Sequence, residues 1–189
     1  MPRPLLALPP FVLTLVLLCA GAAGGELVNE NLLVGAPAGY KVGFQDKTGK
    51  LQMIEWVPAN ETVQNWTEMV TVQIFYGLKI APEPFMRDLE ARWRKGCPGA
   101  GDARPIANGV EGGYPALVWI LDCPKNPATG KPELTWIKAL QGNDSFYAVQ
   151  KAFKFMPSKE QVVHWVKYLK AVRVCDSRLA ERACPHLKN

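Results

Sequence analysis

The chain has 189 residues, nearly half of them hydrophobic, with 22 Lys and Arg against 17 Asp and Glu for a formal net charge of +5. That length supports one domain with a real core and excludes two comfortable ones. The charge is lopsided: residues 24–150 are slightly acidic, whereas 151–189 hold nine basic and three acidic side chains, a solvated helix face that also suits an acidic partner or a lipid surface.

The N-terminus carries Arg3, an apolar run from Phe11 to Leu18, and then Ala20, Gly21, Ala22 and Ala23. This is the order of a secretory signal peptide, assigned to residues 1–23, with 24–189 as a single secreted domain. The run is too short for a membrane span, and no transmembrane segment is expected after its removal. Leu18 before Cys19 argues against a lipoprotein signal.

In the exported part "YKVGFQ" alternates as a strand, "DKTGK" supplies a turn, and "LQMIEWVP" returns, together a hairpin. "NWTEMVTVQIFYG", residues 65–77, places Val70, Val72, Ile74 and Tyr76 on one face and Thr67, Met69, Thr71, Gln73 and Phe75 on the other. Large apolar groups on both faces suit an inner strand partly covered by a helix. "APEPFMRDLEARWRKG" changes to helical spacing, with Phe85, Met86, Leu89 and Trp93 on one arc. Residues 97–113, rich in Gly and Pro, read as a loop.

Three further strands follow, "YPALVWILDC", "ELTWIKALQ" and "FYAVQKAFKF", and then the helix "PSKEQVVHWVKYLKAV", with Ser158 as N-cap and Gln161 completing a capping box. The order strand, strand, strand, helix thus occurs twice, with Thr48-Gly49-Lys50 and Thr129-Gly130-Lys131 at equivalent turns. The expected fold is α+β: a largely antiparallel sheet of about six strands with two main helices packed on it, carrying a βββα pseudo-repeat. Trp56, Trp66, Trp119 and Trp136 on strands and Trp93 and Trp165 on helices are expected to serve the core.

Cys97, Cys123, Cys175 and Cys184 remain after the signal, an even count that in an exported chain implies two disulfides. Three pairings are open; the preferred one closes a short terminal loop with Cys175–Cys184 and leaves Cys97 for Cys123. A metal site from Cys175, Asp176, Cys184 and His186 matches no common zinc spacing, and none is expected.

Catalysis finds little support. His164 falls on the solvent side of the last helix beside Glu160, His186 sits in the tail, no Gly-x-Ser-x-Gly elbow occurs, and "GVEGGYP" lacks phosphate-binding spacing, so no cofactor is expected. Glu55, Glu68 and Asp122 remain as carboxylates for a hydrolase. Candidate contact surfaces are the 98–113 loop, the two turn tips and the basic helix face with Lys167, Lys170 and Arg173. Nucleic acid is not an expected partner, since no stacking motif accompanies the charge.

"EWVPANETVQNWTEMVTVQ", "CPKNPATGKPE", "QGNDSFYAVQKA" and the tail cysteines resemble a family of exported proteobacterial proteins. The resemblance implies a periplasmic or secreted location and brings no catalytic residues. The element order is also similar to that of Mog1/PsbP-like domains, which implies an accessory or binding role. The expected function is that of a disulfide-stabilised, non-catalytic envelope module binding a protein or another envelope component. The alternatives are a small hydrolase and a carrier of a small ligand between sheet and helices.

Overall fold

A computed structural model of the chain describes residues 27–186. The assigned signal peptide lies outside them. The elements in order are strands β1 (Glu30–Leu33), β2 (Tyr40–Thr48), β3 (Leu51–Pro58) and β4 (Glu68–Tyr76), helix α1 (Pro82–Gly96), strands β5 (Ala103–Glu111), β6 (Tyr114–Cys123), β7 (Glu133–Gln141) and β8 (Ser145–Phe153), helix α2 (Lys159–Ala171) and strand β9 (Arg173–Asp176). Seven strands form one antiparallel sheet in the order β2-β3-β4-β8-β7-β6-β5, and β1 pairs with β9 in a separate two-stranded ribbon.

The α+β class and the antiparallel sheet hold, but the strand count of about six is too low. The additional strands are β1, β5 and β9. Residues 103–111 form β5, not a loop, and Gly112 and Gly113, both with φ > 0, make the two-residue turn that folds β5 back onto β6. Its sequence hid it because Pro105, Asn108 and Gly109 read as loop chemistry, whereas an edge strand has only one neighbour to satisfy and tolerates them. β1 and β9 are four residues each and exist only through each other, with Asn31 opposite Cys175.

β4 lies between β3 and β8, a sheet-interior position that explains its apolar groups on both sides. The two helices cover opposite faces. On β8, Tyr147, Val149 and Phe153 pack with Trp165 and Leu169 of α2, while the alternate residues Phe146 and Ala148 pack with Met86 of α1. Strands β2-β3-β4 and β6-β7-β8 are two meanders meeting at the antiparallel β4–β8 pair. A twofold rotation that exchanges antiparallel neighbours keeps each sheet face on its own side, so it would leave α1 on its own face and could not bring it onto α2, which covers the other. Helices on opposite faces therefore leave the βββα repeat without a structural counterpart beyond the strands, and β5 interrupts it as well.

Two disulfides staple this body. Cys97, at the end of α1, joins Cys123, at the end of β6, and Cys175 on β9 joins Cys184 in the tail. No helix among the described residues is long and apolar enough to cross a membrane.

Candidate ligand site

Two lysines are built into the sheet face that α2 covers. On β7 the inward positions run Leu134, Trp136, Lys138 and Leu140, and on β8 they run Tyr147, Val149, Lys151 and Phe153, so period-two alternation places an ammonium in each apolar row. Both lysines are fully buried. A buried cation is costly unless it is paired and hydrogen-bonded, and each solves this differently.

Lys151 donates to the Glu68 carboxylate at 2.7 Å and to the Tyr40 hydroxyl at 2.9 Å. Aromatic rings complete its surroundings, with its nitrogen 3.7 Å from the centroid of the Trp165 ring and 4.5 Å from that of Phe153. Burial pushes its pKa down to about 8 against the opposing pull of Glu68. Burial also raises the Tyr40 hydroxyl, reinforced by the neighbouring Glu68 charge. The Lys151 side chain is fully enclosed, and its partner Glu68 is partly exposed.

Lys138 sits below the other end of α2. It donates to the carbonyls of Leu169 and Val172, at 3.1 and 2.8 Å, and to the Glu111 carboxylate. The two carbonyls belong to the C-terminal turn of α2, the negative end of the helix dipole, which favours a cation there. Unlike Lys151, Lys138 borders open space. A cavity of about 170 Å³ lies between α2 and the β5–β7 side of the sheet. Val118, Trp136 and Lys138 belong to its sheet side, Val166 and Leu169 to its helix side, and Ile106 and Glu111 to its β5 side.

The sheet edge shapes this opening. β5 carries a bulge at Ile106, an extra residue between the paired Pro105 and Ala107. Such bulges re-aim side chains beside sites and twist an edge away from pairing with another chain. The opposite edge, β2, has a bulge of its own at Gly43.

The sequence-derived site residues are scattered. Lys167, Lys170 and Arg173 are all exposed, but only Lys170 borders the cavity. Lys167 lines a separate shallow depression with Glu160 and His164, and Arg173 is paired with Leu33 of β1. His164 is exposed, its ring edge-on to Trp165, and His186 is exposed in the tail. Glu55 and Glu68 sit on opposite faces of the sheet: Glu55 is opposite Thr71, whereas Glu68 shares the face of Val70 and Val72. They do not form a carboxylate pair. Desolvation raises the Glu55 carboxyl. Asp122 is on β6, separated from β4 by the two strands β8 and β7. Cys175 and Cys184 are bonded to each other, and no group of three His, Cys, Asp or Glu side chains among the described residues is arranged to hold a metal ion.

Sequence reasoning missed Lys138, Lys151 and Glu111. The signal was present for both lysines, since each interrupts an otherwise apolar inward row. Glu111 carried none, because its strand was read as a loop. No known protein-family model matches the chain, and no curated protein matches it.

Proposed function

We propose that the protein is an exported, disulfide-stapled, non-catalytic domain that binds a small ligand in the cavity between the sheet and α2. The single observation that carries this reading is the apolar cavity of about 170 Å³ with a buried lysine on its wall. It matches in size an engineered cavity of about 150 Å³ that stays dry and accepts benzene. Export to the periplasm or the medium is supported by the order of the N-terminal residues and by the two disulfides, which persist in oxidising compartments. The resemblance to an exported proteobacterial family points the same way. The separation of Glu55 from Glu68 and the exposed setting of His164 favour binding over hydrolysis.

The test uses a neutral benzene-sized probe, benzyl alcohol, followed by the indole N–H resonance of Trp136. The expected result is a saturable shift in the wild type that is lost in Ala107→Phe, a substitution that fills the cavity from β5. Absence of any shift, or equal binding in the filled variant, would overturn the reading.

A macromolecular partner is the second reading, favoured by Lys167, Lys170 and Arg173. All three are exposed and have no acidic partner among the described residues. Pull-down from periplasm with Lys167→Glu/Lys170→Glu tests it, and an unchanged set of captured proteins removes that surface.

A further inference from the structure

We infer that the cavity takes a small apolar monocarboxylate about the size of benzoate, whose carboxylate replaces that of Glu111 on the Lys138 ammonium. The inference rests on the cavity being a ligand site and adds the chemistry of the ligand.

An ammonium has three donors, and in Lys138 all three are used, by Leu169, Val172 and Glu111. The first two acceptors are backbone carbonyls of the α2 terminus and are fixed by the helix. The third is different. Glu111 ends the edge strand β5, beside the Gly112-Gly113 turn, and its side chain is 43% exposed although the lysine it pairs with is 1% exposed. A carboxylate in that position can rotate into water and be solvated there, whereas Lys138 cannot follow it. Lys138 would then be a buried cation lacking one acceptor, a state that strongly favours an incoming anion.

The charges around the cavity agree with this. Lys138 and Lys170 carry two positive charges against the single negative charge of Glu111, so an occupant that displaces Glu111 meets a net positive wall. The rest of the lining specifies the body of the ligand. Trp136, Val118, Val166 and Leu169 offer apolar surface, and apart from the lysine and glutamate groups the lining side chains supply one further hydrogen-bonding group, the Trp136 indole N–H. A polyhydroxylated or zwitterionic ligand would leave polar atoms without partners there. A single carboxylate at one end of a compact apolar group leaves none. The cavity volume limits that group to roughly one benzene ring.

The experiment titrates benzoate and benzyl alcohol, which share a ring and differ in charge, into the full mature chain by calorimetry. It uses wild type, Glu111→Gln and Lys138→Met. Wild type is expected to bind benzoate at least tenfold more tightly than benzyl alcohol. Glu111→Gln, which weakens the internal competitor, is expected to tighten benzoate several-fold and leave benzyl alcohol unchanged. Lys138→Met is expected to bind benzyl alcohol while losing the preference for benzoate. Because Lys138 also tethers the α2 terminus, Glu111→Gln decides the matter if the methionine variant does not fold. Equal affinity for the two probes, or benzoate affinity unaltered by Glu111→Gln, overturns the anion exchange while leaving the cavity as a site. Binding of neither probe overturns both.

Discussion

The Lys151 ammonium nitrogen and the Trp165 ring centroid are 3.7 Å apart, and the Glu68 carboxylate reaches the same nitrogen at 2.7 Å. α2 is thereby held to the sheet by a buried cation as well as by apolar contact.

This cation makes stability depend on pH in an unusual direction. Lys151 titrates at about 8 in the folded chain and at the ordinary 10.5 once unfolded. Between these values the unfolded state binds the extra proton, so the Lys151 contribution raises stability as pH climbs from about 8 toward 10.5. The tyrosines act oppositely. Tyr40, Tyr147 and Tyr168, raised first by burial, keep their protons above the ordinary 10, where the unfolded chain releases them, so stability falls beyond that point. Urea midpoints measured from about pH 7 to about pH 11 are expected to rise, turn over near pH 10 and decline. In Lys151→Met the rise should shrink to the share of Lys154, which burial also lowers; an identical rise in that variant would remove Lys151 as its source.

The bridge between Cys97 and Cys123 ties α1 to β6 across 26 residues of sequence. By loop-closure entropy, replacing both cysteines with Ala is expected to cost about 3 kcal/mol, read as a lower urea midpoint with an intact far-ultraviolet spectrum. A loss of less than about 1 kcal/mol would show that the unfolded chain is already constrained there.

Glu30, on the short β1, binds the turn between β7 and β8. Its carboxylate accepts from the amides of Asn143, Asp144 and Ser145 and, at 2.9 Å, from the Tyr147 hydroxyl. Glu30→Ala leaves these donors without that acceptor and is expected to cost about 1–3 kcal/mol, with faster amide exchange concentrated at residues 143–145. Gly142→Ala attacks the same contact from the other side, since a Cβ there would overlap the Glu30 carboxylate. It should resemble Glu30→Ala in its exchange pattern, and uniform exchange across the sheet in both variants would contradict the local account.

Ser158 and Gln161 cap α2 reciprocally: the serine oxygen accepts from the Gln161 amide, and the Gln161 side chain accepts from the Ser158 amide at 2.8 Å. Ser158→Ala is expected to lower stability by about 1 kcal/mol. Ser158→Asp should recover most of this loss, and a failure to do so would show that the serine acts in another way.

The local elements were legible where local chemistry decides them. Tyr114–Cys123 and Glu133–Gln141 are strands with the limits their residues predict, the capping box marks the start of α2, and the Phe85, Met86, Leu89 and Trp93 arc faces the sheet. β5 was illegible because an edge strand needs no alternating apolar pattern. β1 and β9 were illegible because their pairing joins residues 140 to 146 positions apart.

Composition and periodicity alone determined an α+β chain with largely antiparallel strands, two amphipathic helices and four cysteines to bridge, since these follow from interactions within a few residues. Only the tertiary structure decided that the helices take opposite faces and that Lys138 meets both the α2 terminus and Glu111 beside an open cavity. Those arrangements depend on contacts between residues 27 to 34 positions apart, as in Lys138 with Glu111 and Val172. Chain closure over that distance is set by the packing of the whole sheet, and no local pattern encodes it.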